Sequence, residues 1–132
     1  MSNSMVQSNL DWLAAQHAQE IIRRTNDKKA GDVDNTVTKA LGVLQENGVY
    51  ACFLYLKAKE KENGDIVVDE MLNLLDDLSF DWGKPPSNKA EDVLCYITEK
   101  VTDTDHLERL LLAKEILEQM LIYARYGAKA RS

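Results

Sequence analysis

The sequence predicts an all-α protein, a single-domain bundle of about six helices. Apolar residues recur at helical spacing in successive segments, and we find no strand-like alternation of any length. Only two prolines and six glycines interrupt 132 residues, of which 45% are hydrophobic. A chain of this length can bury one sizeable core without a metal or a disulfide. We therefore interpret residues 1–132 as one helical domain.

The first helix is predicted to start at Ser8 or Asn9, either of which can cap it. It ends at Arg23 and Arg24, two cations in the last turn, as the helix dipole favours. We expect residues 1–8 to be disordered. They show neither the basic residues nor the apolar run of a signal peptide.

The stretch Leu41–Lys61 joins two helices with almost no loop and organises the rest of the chain. A second helix ends at Asn47-Gly48, because glycine accepts the left-handed backbone that closes a helix. Residues 49–56 carry no charge, which predicts a third helix that is buried on most sides. Its polar exit is predicted to stop at Asn63-Gly64.

The fourth helix, over residues 66–80, is amphipathic. Its apolar positions point inward, and Asp69, Glu70, Asp76 and Asp77 are predicted to point outward. Such a run of acidic residues on an outer helix face is typically solvated.

The proline-bearing loop at residues 80–86 is either a packed corner or an exposed docking surface, and we favour the packed corner. Asn88, with Glu91 three residues later, fits the cap of a fifth helix. The last helix, within residues 106–126, carries two apolar stripes, so it is covered from more than one direction, and another subunit could supply part of that cover. Residues 128–132 are expected to be a flexible basic tail.

The residues that could act in catalysis or bind a metal form no recognisable motif. Zinc sites use Cys or His pairs at short spacing, whereas Cys52, Cys95, His17 and His106 are far apart and single. Both cysteines lie in apolar patterns, which is typical of buried thiols in a reduced cytosolic protein. We expect no catalytic residue, metal, cofactor or small-molecule substrate, and we expect His17 to be a hydrogen-bonded core or boundary group.

The net charge and the hydropathy bear on whether the protein binds nucleic acid or a membrane. The net charge of −6 argues against a general nucleic-acid coat, but contact depends on local clusters of charge more than on the sum. No apolar stretch approaches the roughly 20 residues of a membrane span, so we expect a cytoplasmic protein without membrane contact.

Two stretches carry a resemblance to a known family. Residues 41–59, LGVLQENGVYACFLYLKAK, and residues 106–130, HLERLLLAKEILEQMLIYARYGAKA, are similar to the small helical subunit of the type III-B CRISPR effector, the Cmr complex. The family pattern is an apolar helix end, Asn-Gly, then an Ala- and Leu-rich helix, with a Leu-rich C-terminal helix. The first helix, WLAAQHAQEII, is compatible with that family.

The resemblance implies a non-catalytic subunit of an RNA-guided complex in antiviral defence. Copies of the chain would stack along guide RNA and target RNA beside other Cmr subunits, with cations on the sugar-phosphate path and base pairing supplying sequence. The RNA-binding residues expected from charge and position are Arg23, Arg24, Lys28, Lys39, Lys57, Lys61, Lys114 and Arg125. The alternative is a helical protein–protein adaptor without nucleic-acid binding.

Overall fold

The structure is a computed structural model that describes the backbone of residues 3–131 and the side chains of residues 9–131. It contains no strand in this range, which confirms the predicted all-α bundle. None of the described helices is both long and apolar enough to cross a bilayer. The helices are α1 (Asn3–Arg24), α2 (Ala30–Asn47), α3 (Val49–Lys59), α4 (Glu62–Asp77), α5 (Ala90–Tyr96) and α6 (Leu107–Arg131), with a π turn at Ile97–Val101 and a 3-10 turn at Thr104–His106.

Helix α6 lies at the centre of the bundle and packs along both α1 and α2. It runs parallel to α1, because Ile116 of α6 lies beside Leu10 of α1 and the later residue Gly127 lies against the later residue Ile22. It runs antiparallel to α2, since Lys129 near its end lies 3.8 Å from Asp34 near the start of α2. The predicted cover from two directions is therefore supplied by α1 and α2 of the same chain.

Small residues let α6 approach its neighbours closely. Ala113, Ala124 and Ala128 are completely buried, as are the larger side chains of Leu117 and Met120, which lie between Ala113 and Ala124. Such interdigitated packing of small and large side chains gives protein interiors their high density. The burial of α6 on two sides accounts for its two apolar stripes.

The junction at Asn47-Gly48 forms as the sequence predicts. Gly48 has φ of 97°, in the region that favours glycine, and its N–H donates to the carbonyl of Leu44 at 3.0 Å. Helix α3 begins at the next residue, and Phe53 is fully buried. Within residues 49–56 only Tyr50 and Leu54 are exposed, on the outer face of α3, so the prediction of burial on most sides is confirmed.

The predicted stop at Asn63-Gly64 is wrong. Helix α3 ends at Lys59, and α4 has already begun at Glu62, so Gly64 lies in the first turn of α4. Gly64 is buried because this turn packs directly against the end of α3. Glycine is needed here for close approach between helices and not for a left-handed turn.

The two expectations about the chain ends, disorder at residues 1–8 and a flexible tail at 128–132, stay predictions. The backbone of Asn3–Ser8 belongs to helix α1, and Met1 and Ser2 lie outside the described residues. At the other end, α6 continues through most of the expected tail, 128–132. Arg131 fixes that end by donating to the carbonyls of Thr25 and Lys28, at 2.8 Å each, and Ser132 lies outside the described residues.

The proline-bearing loop is a packed corner. Trp82 is buried, and its ring centre lies 4.9 Å from that of Phe80. Arg109 lies over the other side of the cluster, 5.3 Å from the centre of the Phe80 ring, a favourable cation–π distance. Tyr96 donates a hydrogen bond to the carbonyl of Gly83 at 3.0 Å, which ties the loop to α5.

Two smaller expectations about this region are wrong. The hydroxyl of Ser87, and not the side chain of Asn88, accepts a hydrogen bond at the start of α5, from the N–H of Lys89 at 3.1 Å. Cys95 is exposed, whereas Cys52 is buried as expected, and both thiols are free. Burial raises the pKa of the Cys52 thiol to about 12.

Substitution of Gly64 by alanine should destabilise the protein by about 1–3 kcal/mol, the usual cost of overpacking a core. The added Cβ would lie 2.4 Å from the Cβ of Glu60 and 3.0 Å from the carbonyl oxygen of Leu56. Gly42→Ala is the matched control, because nothing lies within 4 Å of a Cβ at that mid-helix position. Urea unfolding should show the control stabilised by about 0.5–1 kcal/mol, and equal effects would contradict close packing at Gly64.

Candidate functional site

Half of the eight cations expected to bind RNA are already engaged by carboxylates of the protein. Arg23 donates from Nε to Glu20 at 2.6 Å, across one turn of α1. Arg24 donates from Nη1 to Asp69 at 2.8 Å and to Glu70 at 2.7 Å, joining α1 to α4. These contacts raise the pKa of Arg24 in spite of its partial burial. The main role of Arg24 is therefore to hold α1 against α4.

Lys28 and Lys57 are engaged in the same way. Lys28 forms an ion pair with Glu62 at the start of α4. Lys57 donates to Asp65 at 3.0 Å and to the carbonyl of Asn88 at 2.7 Å, and its side chain is only 11% exposed. Lys57 thus fastens α3 to α4 and to the loop before α5, and it is not available at the surface.

The other four expected cations lie on α2, on the turn between α3 and α4, and on α6. Lys39 is exposed on α2, and Lys61 is exposed at the turn between α3 and α4. Lys114 and Arg125 are half-buried on α6, where a separation of eleven residues is about 16 Å along the axis. The Nε of Arg125 is buried without a hydrogen-bond partner among the described residues.

Two of the expected residues, Lys28 and Lys61, do meet in one groove, together with Lys59. This groove, which we call the α2–α4 groove, lies where α2 and α4 begin and has a volume of about 570 Å³. It is lined by Lys28, Asp32, Asn35, Thr36, Lys59, Glu60, Lys61, Glu62 and Asn63. The chain turns between α3 and α4 at this point, which brings sequence neighbours to a single concave surface.

Lys59 was missed as a candidate for a specific reason. On one continuous helix, residues 57, 59 and 61 would spread around the axis and could not share a face. Because α3 ends at Lys59, the following residues leave the helical path, and Lys61 takes a non-helical backbone with φ of −90° and ψ of −114°. The pattern KAKEK at residues 57–61 predicts that Lys59 and Lys61 share a surface only if α3 is known to end at Lys59.

The electrostatics of the α2–α4 groove are balanced. Its three lysines face the three carboxylates of Asp32, Glu60 and Glu62. Lys28 is already paired with Glu62, whereas Lys59 and Lys61 form no ion pair with any described residue. The groove therefore offers two exposed ammonium groups to an anion, and a third only if Glu62 is displaced.

A second cluster centres on the buried side chain of His17. Its Nδ1 lies 3.0 Å from Oε1 of Glu70, and its Nε2 lies 2.7 Å from Oδ2 of Asp77. The expectation that His17 is a hydrogen-bonded core or boundary group is confirmed. The expectation that Glu70 points outward is wrong, because Glu70 is only 4% exposed.

Glu70 can be buried because several donors surround its carboxylate. His17 approaches one oxygen, and Arg24 and Asn73 donate to the other at 2.7 Å and 3.3 Å. Burial raises the pKa of the Glu70 carboxyl, but the hydrogen bonds from His17, Arg24 and Asn73 outweigh it and lower the pKa. Burial lowers the pKa of His17, and the hydrogen bonds to Glu70 and Asp77 outweigh it and raise the pKa.

The geometry of this cluster suits a structural role better than a role in proton transfer. Both ring nitrogens of His17 are held by carboxylates, so neither faces a substrate with a free lone pair. The hollow beside it, of about 350 Å³, is lined by Gln16, His17, Glu20, Glu70, Asn73, Asp76, Asp77 and Lys84, with no hydroxyl or thiol nucleophile. The cluster instead holds α1 and α4 in one register.

Neither a bound-metal geometry nor a comparison with known proteins identifies the function of the α2–α4 groove or of the His17 cluster. Across the part of the chain that the structure describes, no three His, Cys, Asp or Glu side chains are placed to hold a metal ion. No protein family, curated protein or solved structure matches the chain.

The His17 cluster should make stability fall as the pH rises. Because the folded-state pKa of His17 is raised above 6.5, its stabilisation is complete below pH 6.5 and is lost as the pH passes through the folded value. The loss cannot exceed about 1.4 kcal/mol per pH unit for one proton. Urea unfolding at closely spaced pH values should show it.

His17→Gln should remove this decline, and His106→Gln should keep it. His106 is a suitable control because its side chain is 45% exposed and pairs with Asp103, three residues away. A decline above pH 6.5 that persists in His17→Gln would show that another group is responsible.

Proposed function

We propose that this chain is the small, non-catalytic subunit of a type III-B CRISPR RNA-guided effector and that it contacts the RNA backbone through the α2–α4 groove. The observation that carries the proposal is the pair of exposed ammonium groups of Lys59 and Lys61 in one groove. The resemblance of residues 41–59 and 106–130 to the Cmr small subunit supplies the identity of the complex.

The chemistry of the groove supports backbone contact without base reading. Lysine offers a compact charge on a flexible stem, so it can follow successive phosphates and does not fix one base edge. A subunit of an RNA-guided complex needs only such backbone contacts, since base pairing between guide and target supplies the sequence specificity. Lys28 adds a third contact where a phosphate replaces Glu62 as its partner.

The position of the engaged cations refines the expected RNA-binding set. Arg24 and Lys57 are withdrawn from it, because each holds two elements of the bundle together. Lys59 is added to Lys28 and Lys61. With few cations free and a net charge of −6, binding of the isolated chain to RNA is weak, and neighbouring subunits and further copies supply most of the affinity.

A second candidate function is a cytoplasmic helical adaptor that binds only protein. The acidic balance and the exposed side chains of Trp12, Leu107, Leu111 and Tyr126 favour it. Purification of the native protein from its host separates the two functions. Copurifying guide RNAs with a common 5′ tag support the effector subunit, and copurifying proteins without RNA support the adaptor.

The double substitution Lys59→Gln and Lys61→Gln should weaken binding of the assembled complex to target RNA and flatten its dependence on salt. Each lost contact to a single strand removes about 0.7 from the slope of log K against log salt, so the double variant should lose about 1.4. Filter binding at several salt concentrations measures this slope.

Lys84→Gln with Lys100→Gln is the matched control. Both lysines are exposed and lie outside the α2–α4 groove, and the double substitution changes the net charge equally. The control should keep the wild-type slope. Equal slopes for the two double variants would contradict RNA contact through this groove.

A further inference from the structure

The outer surface between α1 and α6 is an open seam of mixed polarity that no other described element covers. Two hollows lie along it. The first, of about 120 Å³, is lined by Leu10, Asp11, Leu112, Glu115, Ile116 and Gln119. The second, of about 350 Å³, is lined by Ala15, Ala18, Gln19, Ile22, Tyr123 and Gly127.

The two hollows belong to one surface, which we call the α1–α6 seam. Tyr123 of the second hollow donates a hydrogen bond to Asp11 of the first, so the two hollows adjoin across this contact. Along α1 the seam extends from Leu10 to Ile22, which is about 18 Å at the rise of a helix. That length corresponds to about three turns of a further helix.

Two exposed aromatic side chains flank the seam, one on each helix. Trp12 is 58% exposed and lies three residues before Ala15, on the same side of α1. Tyr126 is 64% exposed and lies three residues after Tyr123 on α6. Tryptophan and tyrosine are the residues that most often dominate the energetics of protein interfaces. Their position beside an apolar floor indicates a protein-binding surface.

The rim of the first hollow is acidic, whereas Arg23, which is paired with Glu20, follows Ile22 at the other end of the seam. Asp11 and Glu115 line the first hollow, and Glu108 lies seven residues before Glu115, on the same side of α6. Residues 9–22 contain no lysine or arginine. Of the two basic residues near the start of α6, Arg109 lies over the Phe80 ring, and Lys114 is rotated about 100° from Glu115.

We propose that the α1–α6 seam binds an amphipathic helix of another protein, with an apolar face of small and branched residues and lysine or arginine along its edge. Two parallel helices with a groove between them receive a third helix in the usual geometry of bundles. The apolar floor of the second hollow, the two aromatic anchors and the acidic rim of the first hollow define the partner's chemistry. The proposal goes beyond RNA contact and holds whether or not the α2–α4 groove binds RNA.

Fluorescence anisotropy with the full chain and three labelled synthetic peptides tests the proposal. The first peptide is a helix of Leu, Ala and Lys with one apolar face, the second has the same composition in scrambled order, and the third has Glu in place of Lys. The first should bind at least about tenfold more tightly than the other two. Trp12→Ala and Tyr126→Ala should each weaken its binding about tenfold, an effect of about 1.4 kcal/mol.

Tyr50→Ala is the control, because Tyr50 is an exposed aromatic residue on α3, outside the seam, and this variant should bind normally. Circular dichroism establishes that all three variants remain folded. Absence of binding, equal binding of the three peptides, or wild-type affinity in both seam variants would overturn the proposal. So would sedimentation data in which the wild type self-associates and Trp12→Ala does not, because the occupant would then be a second copy.

Discussion

The buried carboxylate of Glu70 is the constraint on which the arrangement of α1 and α4 depends. A carboxylate that is 4% exposed is tolerated only if its charge is compensated by close donors. Helix α1 supplies two of these donors, His17 and Arg24, seven residues apart on one face. The same requirement decides which cations remain for a partner, because Arg24 cannot neutralise Glu70 and bind an anionic partner equally well.

The helices could be predicted from the sequence where a local signal decided them. The end of α2 at Asn47-Gly48 is such a case, since the positive φ of Gly48, which glycine readily adopts, ends the helix locally. Asn63-Gly64 is the same dipeptide, but it does not end a helix, because Gly64 lies inside α4 against the end of α3. The two cases differ only in the packing between helices, which the local pattern does not contain.

The candidate sites were harder to predict because they depend on pairs of residues that are distant in the chain. Glu70 was expected on the solvated face of α4, and its burial follows from donors more than 40 residues away. Lys57 was expected at the surface, and its contact to the Asn88 carbonyl crosses 31 residues. Charge and helical position identify cations, but only tertiary contacts tell which are consumed by the fold and which, like Lys59 and Lys61, remain exposed.

The division of cations between fold and partner is tested most directly by the coupling between Arg24 and Glu70. Urea unfolding of Arg24→Gln, Glu70→Gln and the double variant, without RNA, gives this coupling free energy. Residues in one buried network should show a coupling of about 1–3 kcal/mol. Additivity within about 0.5 kcal/mol would contradict the structural role of Arg24 and leave it free for an anionic partner.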